Sequence, residues 1–185
     1  MPESRFPKPY ADFVARLRVP GGFVLILAFA LLSRPAWESM EWGTAVALPG
    51  LLLRAWAAGH LEKNRKLTTS GPYAYMRNPL YAGSLVTAAG MVVAGRSWLL
   101  GAVFAAVFIL IYLPVIELEE QHLRKLFPEF AAYAAEVPLL APRFPGLPSE
   151  GRFRTAVFLR NEEYKAAAAF LAGLGVLAVK IICFV

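Results

Sequence analysis

Five stretches almost free of charge, at residues 19–33, 42–59, 79–95, 97–116 and 164–185, set the terms on which this chain can fold. A bilayer-spanning helix needs about 20 apolar residues, with about 17 as the lower end. The fourth stretch meets that length outright and the third just reaches it. The first, second and fifth need flanking residues or an internal charge. Water is a poor solvent for such a chain, because 58% of its residues are hydrophobic and only 17% charged, too little polar surface to coat a globule. The expectation is one all-α integral membrane domain, residues 1–185, with five transmembrane helices and amphipathic helices along the cytoplasmic surface.

The net charge of +6 follows from the same picture, because the basic residues are segregated by loop. With the N-terminus inside, Arg5, Lys8, Arg16 and Arg18 lie in the cytoplasm, as do Lys63, Arg65, Lys66 and Arg77. After the fourth stretch come Arg124, Lys125, Arg143, Arg152, Arg154, Arg160 and Lys165 on that same side. Arg34 and Arg96 fall on the other, and Arg54 and Lys180 within spans. This asymmetry orients the chain by the positive-inside rule and leaves no need for a nucleic-acid partner. Membrane lipids are the expected partners, and oligomeric state is not legible. Cys183 is the single cysteine, which excludes a disulfide framework and a multi-cysteine metal site. No cleavable signal peptide and no C-terminal prenylation signal are expected, the last four residues being ICFV.

Residues 1–18 read as a cytoplasmic arm whose Phe6, Tyr10, Phe13 and Leu17 lie on the membrane surface. SRPAWESMEW is a short outer loop with interfacial Trp37 and Trp42. The third and fourth spans, joined by GRS, form a hairpin in which Ala82, Gly83, Ala89, Gly90, Ala102, Ala105 and Ala106 allow close helix contact. Leu123, Leu126, Phe127, Phe130, Tyr133 and Val137 recur at helical steps, and Pro128 with Glu129 suits a helix start, so two short amphipathic helices follow. Residues 143–163 are a Pro-rich link, and the last helix begins near Asn161 and spans 164–185.

TSGPYAYMRNPLYAG, residues 69–83, is a rigid, basic, aromatic-rich turn placed where the chain re-enters the bilayer. Pro79 can open the third helix, whose free backbone N–H groups would face a cytoplasmic pocket walled by Tyr73, Tyr75 and Tyr81. Arg54 sits two turns inside the second span, where charge is expensive and either faces a partner or snorkels to the interface. Glu117, Glu119 and Glu120 close the fourth span. Acids are unfavourable at a helix C-terminus, so Arg54, Arg77 or a bound cation should compensate them. His60 and His122 read as interfacial polar residues, and no spacing of His with carboxylates supports a metal site.

LTTSGPYAYMRNPLYAG, followed some forty residues later by EEQHLRKLFPEFAAYAAEVP, resembles the isoprenylcysteine carboxyl methyltransferase family, part of a wider group that includes the phospholipid N-methyltransferases. The similarity covers about residues 50–142. It implies a multi-span enzyme using S-adenosyl-L-methionine, with cofactor contacts from both motifs. Carried over by position, Gly71, Tyr73, Arg77, Pro79, Tyr81 and Gly83 hold the first motif. Glu119, Glu120, Leu123, Phe127, Tyr133, Val137 and Pro138 hold the second. The implied cofactor-binding residues are Gly71, Tyr73, Asn78, Pro79, Tyr81, Gly83, Glu119 and Glu120; Arg77, Asn78, Glu120 and Arg54 are the implied catalytic residues. Asn78 stands where the family has His, and the basic residue usual just before the paired acids is absent. Asn donates and accepts hydrogen bonds but carries no charge.

The chemistry fits this reading independently. A sulfonium cofactor is a cation, so carboxylates and tyrosine faces favour it. Methyl transfer is an in-line displacement that needs alignment and a dry site. A carboxylate acceptor, prenylcysteine-like and lipophilic, needs no general base and would be held by Arg54 or Arg77; an amine acceptor would want a base such as Glu120. A phospholipid or other amine N-methyltransferase, an NADPH-dependent membrane reductase and a catalytically inactive scaffold stay open as alternatives.

Overall fold

The computed structural model describes residues 7–184, and all regular secondary structure among them is helical. Arg5 and Phe6 of the expected arm, and Val185, lie outside the described residues. The first helix, α1, runs Lys8–Leu32 with Pro20 inside it, so the arm is not a separate surface segment but the start of the first long helix. Proline lacks only its own donor and costs a helix one hydrogen bond, which a helix packed along its length can absorb. Helix α2, Trp37–Ala58, follows after a four-residue turn.

Helix α3, Pro79–Gly95, opens on Pro79 and closes at Arg96, which takes the left-handed conformation at φ 49°. Helix α4, Trp98–Val107, is capped by Ser97, whose hydroxyl accepts from the Leu100 N–H. It continues through a π-helical turn, Phe108–Tyr112, into α5, Leu113–Leu126. Pro114 accounts for that widened turn: it removes the donor that the Leu110 carbonyl, four residues earlier, would have received. The Tyr10 hydroxyl donates to that carbonyl at 2.8 Å, tying α1 to the turn. Two short helices, α6 (Phe130–Glu136) and α7 (Thr155–Arg160), precede the last long one, α8 (Tyr164–Phe184). The link expected at 143–163 therefore contains a helix that Pro145 and Pro148 did not announce.

Among the described residues two helices are long and apolar enough to cross a membrane, Trp98–Leu126 and Tyr164–Cys183, while Val19–Leu32 and Pro79–Gly95 are apolar but shorter. Large apolar side chains face outward along α1 (Phe23, Ile26, Leu31), the π turn (Ile109, Leu110) and α8 (Leu171, Val179, Ile182). A surface of that kind is stable against lipid rather than water.

The tightest helix pair is α2 with α3, not the expected α3 with α4. Gly43, Ala47, Gly50 and Arg54 on α2 meet Ala94, Gly90, Thr87 and Gly83 on the antiparallel α3. A Cβ at Gly43 would stand 2.5 Å from that of Ala94, and one at Gly50 would stand 2.5 Å from the Gly83 carbonyl oxygen. Backbone therefore lies against backbone, as small residues permit. Gly83 and Gly90 belong to this seam rather than to the hairpin. Helix α8 packs across α2 and α3. Its Lys180 donates to the carbonyls of Ala30 and Ser33, the orphan acceptors at the C-terminal end of α1.

Candidate functional site

Both sequence motifs converge at one end of the α2–α3 pair. Leu67, Phe130, Tyr133 and Val137 form a small buried core there, with Leu123 and Phe127 packed against it. The apolar stripe of the second motif thus folds α6 back onto the loop that carries the first. Four backbone bonds then zip the two together. Arg77 and Asn78 N–H groups donate to Pro138 and Leu139 carbonyls at 2.9 and 3.1 Å. The N–H groups of Arg143 and Leu147 donate to the carbonyls of Tyr75 and Ala74 at 3.0 and 2.9 Å.

Arg77 buckles this junction. Its Nε and Nη2 donate to the two carboxylate oxygens of Glu120 at 2.7 and 3.2 Å, and its Nη1 donates to the Ala134 and Val137 carbonyls at 2.8 and 2.7 Å. The Asn78 amide adds a donor to Glu120 at 3.2 Å. Glu120 is buried. A bidentate guanidinium–carboxylate pair out of water is among the stronger polar contacts a protein makes. The expectation that the acids would stand unfavourably at a helix C-terminus is corrected here: α5 continues to Leu126 and ends on Arg124 and Lys125, so Glu120 lies inside the helix and Arg77 compensates it.

The remaining site residues divide sharply. Tyr73 is buried, not a wall of an open pocket; its carbonyl accepts from the Tyr133 hydroxyl at 2.7 Å. Burial pushes both phenols above their ordinary pKa. Gly71 is required by its φ of 60° and by the His60 ring, which would stand 2.7 Å from a Cβ there. Gly83 is filled by the Arg54 side chain and the Gly50 carbonyl, and Pro79 is buried at the start of α3. These four residues support the site. Tyr81 and exposed Glu119 are different: the Tyr81 hydroxyl donates to Glu119 at 3.0 Å, and the Tyr112 ring stands edge-on 6.3 Å from that of Tyr81. A carboxylate beside two phenol rings offers acceptor oxygens to a ribose diol and negative potential to a sulfonium.

Arg54 does not snorkel. It pairs with Glu163 at the start of α8 and donates to the Leu80 carbonyl and the Ser84 hydroxyl. Sequence reasoning missed Glu163 because the pair is 109 residues apart. It also missed His60, which is buried, hydrogen-bonded through Nδ1 to Ser70 at 3.1 Å, and held below its ordinary pKa by burial and by Arg154. Among the described residues no cluster of three or more His, Cys, Asp or Glu could hold a metal ion.

Comparison with known proteins bears on this geometry. The phospholipid methyltransferase family matches residues 51–129, from inside α2 to just past α5. The nickel-cobalt-cadmium resistance protein NccN of Alcaligenes xylosoxydans xylosoxydans is 30% identical over 175 residues, covering 86% of this chain and 82% of that protein. The cobalt-zinc-cadmium resistance protein CzcN of Cupriavidus metallidurans is 36% identical over 145 residues, covering 71% and 67%. No solved structure gives a significant match.

Proposed function

Because the chain belongs to the family of the resistance proteins NccN and CzcN and matches the phospholipid methyltransferase family across residues 51–129, we propose that it transfers a methyl group from S-adenosylmethionine to a lipophilic acceptor that enters from the bilayer. The observation that carries this reading is the Arg77–Glu120 buckle, which joins the two motifs that the methyltransferase resemblance pairs and leaves Glu119 and Tyr81 on an open face. The cofactor supplies an electrophilic methyl carbon on a cationic sulfur. Glu119, Tyr81 and Tyr112 would hold it, and Arg77, Asn78 and Glu120 would fix the backbone around it. Calorimetry in detergent should show binding of S-adenosylhomocysteine and none of NADPH. The reverse would make the chain a reductase, and binding of neither would leave a scaffold.

The resemblance favours a prenylcysteine-like carboxylate as acceptor. One observation favours an amine, such as a phospholipid headgroup: Arg54 and Arg77, the two cations that would hold a carboxylate, are each paired with an internal one. Glu120, the expected base for an amine, is occupied by Arg77, so Glu119 would take the proton. Transfer of labelled methyl to lipid extracts, separated by headgroup, distinguishes the two acceptors. The relatives' resistance to cobalt and cadmium suggests a contribution made through methylation of a membrane component. The proposed topology has α1, α2, α3, α4–α5 and α8 as five passes, with the N-terminus and the Arg77 end cytoplasmic. Labelling of Glu38→Cys from the cytoplasmic side alone would overturn it.

A further inference from the structure

Between α1 and α8, at the end of the bundle remote from the Arg77 junction, lies an open groove of about 570 Å³. Ala30 of α1 lines it together with Ala172, Gly175, Val176, Val179 and Lys180 of α8. The five α8 residues recur at steps of three and four, so they share one face, and the groove follows that helix for about 12 Å. Its walls are small or β-branched and apolar. A Cβ at Gly175 would meet nothing within 4 Å, so no side chain of the protein fills the furrow there. Lys180 closes one end of it.

Lys180 donates to the Ala30 and Ser33 carbonyls at 2.7 and 2.6 Å and to the Ser33 hydroxyl at 3.0 Å. All three acceptors are neutral. Among the described residues no carboxylate pairs with this ammonium, whereas Arg54, the other cation within a span, is paired with Glu163. A charge placed among apolar helices is costly and ordinarily faces a partner. Capping α1 accounts for the three bonds, but it does not call for an apolar furrow beside the cap. The depth of Lys180 supplies the missing partner. Exposed Trp37, Trp42 and Trp98 follow the turns at this end of the bundle, where a belt of such rings sits level with lipid headgroups. Exposed Arg34 adds a second cation directly after Ser33. Glu38 and Glu41, the acids at this end, pair with neither cation among the described residues.

We propose that the groove holds one molecule of an anionic phospholipid, with an acyl chain along the face from Ala172 to Val179 and the headgroup phosphate at Lys180. Ala30 is exposed, so the phosphate can approach Lys180 along the edge where that carbonyl now accepts. Basic pockets between membrane helices recognise anionic headgroups by the same combination of charge and apolar wall. The site lies at the opposite end of the α2–α3 pair from Glu119, and its ligand needs no nitrogen, so it is distinct from any methyl acceptor and stands independently of methyl transfer.

The probes are phosphatidylglycerol and phosphatidylcholine of identical acyl chains, titrated into the full chain in detergent and read by native mass spectrometry. Phosphatidylglycerol should bind about tenfold more tightly, the margin of one charge-assisted contact. Lys180→Met should bring the two lipids level, and Lys180→Arg should keep the preference. Lys180→Met also strips a cap from α1, so Gly175→Leu provides the second test. It fills the furrow without touching a neighbour and favours the helix, so it should abolish the preference in a chain that melts no lower than the wild type. Equal retention of both lipids by the wild type would overturn the proposal, as would a preference that survives either Lys180→Met or Gly175→Leu. A dimer that Gly175→Leu converts to monomer would overturn it too, by making the groove an interface between two copies of the chain.

Discussion

Replacing Glu120 separates what the paired acids do for the fold from what they do for a ligand. Four of the contacts at the buckle involve Arg77, and two of these end on Glu120, with Asn78 as a further donor to the same carboxylate. The two side chains are 15% and 11% exposed, so the guanidinium left behind by Glu120→Ala would be a mostly buried, half-satisfied charge. Breaking such a pair by removing one partner costs about 3–5 kcal/mol. The Ala134 and Val137 carbonyls still hold Nη1, which places Glu120→Ala near the lower end, about 3 kcal/mol. Glu120→Gln keeps one acceptor and loses the charge, so about 2 kcal/mol is expected, within the range for a hydrogen bond to a charged group. Glu119→Gln, on the exposed neighbour, should leave stability within about 0.5 kcal/mol. Its effect should instead appear as roughly tenfold to hundredfold weaker S-adenosylhomocysteine binding, the loss expected for a charge-assisted bond. Thermal unfolding in detergent with and without S-adenosylhomocysteine reads both quantities. If Glu120→Gln melts with the wild type, the buckle is not a stabilising element. If Glu119→Gln binds the cofactor product normally, the Glu119 carboxylate is not its ligand.

Three further outcomes follow from the same geometry. Asn78→His should keep or raise methyl transfer and Asn78→Leu should lower it, as measured with labelled cofactor, because the position needs a donor toward Glu120. Gly90→Val should destabilise by about 3 kcal/mol or more, since a Cβ there would stand 2.5 Å from the Ala47 nitrogen and backbone cannot yield; Gly22→Ala, with nothing within 4 Å, should be neutral in the same melt. His60 has a pKa below its unfolded 6.5, so its contribution to stability is complete above that pH and declines as pH falls from 6.5 through the lower folded value. Melts between pH 7.5 and 5 should show that decline, and His60→Gln should flatten it.

What the sequence made legible was local, and what it hid was pairing across distance. The turn before α3 could be placed because Pro72, Pro79 and Gly71 leave the backbone few conformations, and the structure has a 3-10 turn and a helix start there. The stripe from Leu123 to Val137 could be read as helical because its period is intrinsic to a helix, and Phe130, Tyr133 and Val137 are indeed buried together. Small residues have no such direction. Gly83 and Gly90 mark a face that admits a backbone, but nothing in α3 alone says whether α2 or α4 supplies it, and the short GRS connection misdirected the choice toward α4. A helix end is equally underdetermined when no glycine or proline marks it. The acids at 117–120 read as a terminus because the apolar run stops there, whereas the helix proceeds through a polar face to Leu126. Partner choice among charges is the least legible of all. Arg54 and Arg77 each had several carboxylates within conceivable reach, and only the crossing of α8 over α2 delivers Glu163 to one while the folding back of α6 fixes Glu120 on the other. Because both arginines are thus paired with internal acids, neither stands ready to hold a carboxylate acceptor in the way the sequence reading allowed, and it is this pairing across distance that favours the amine alternative proposed above.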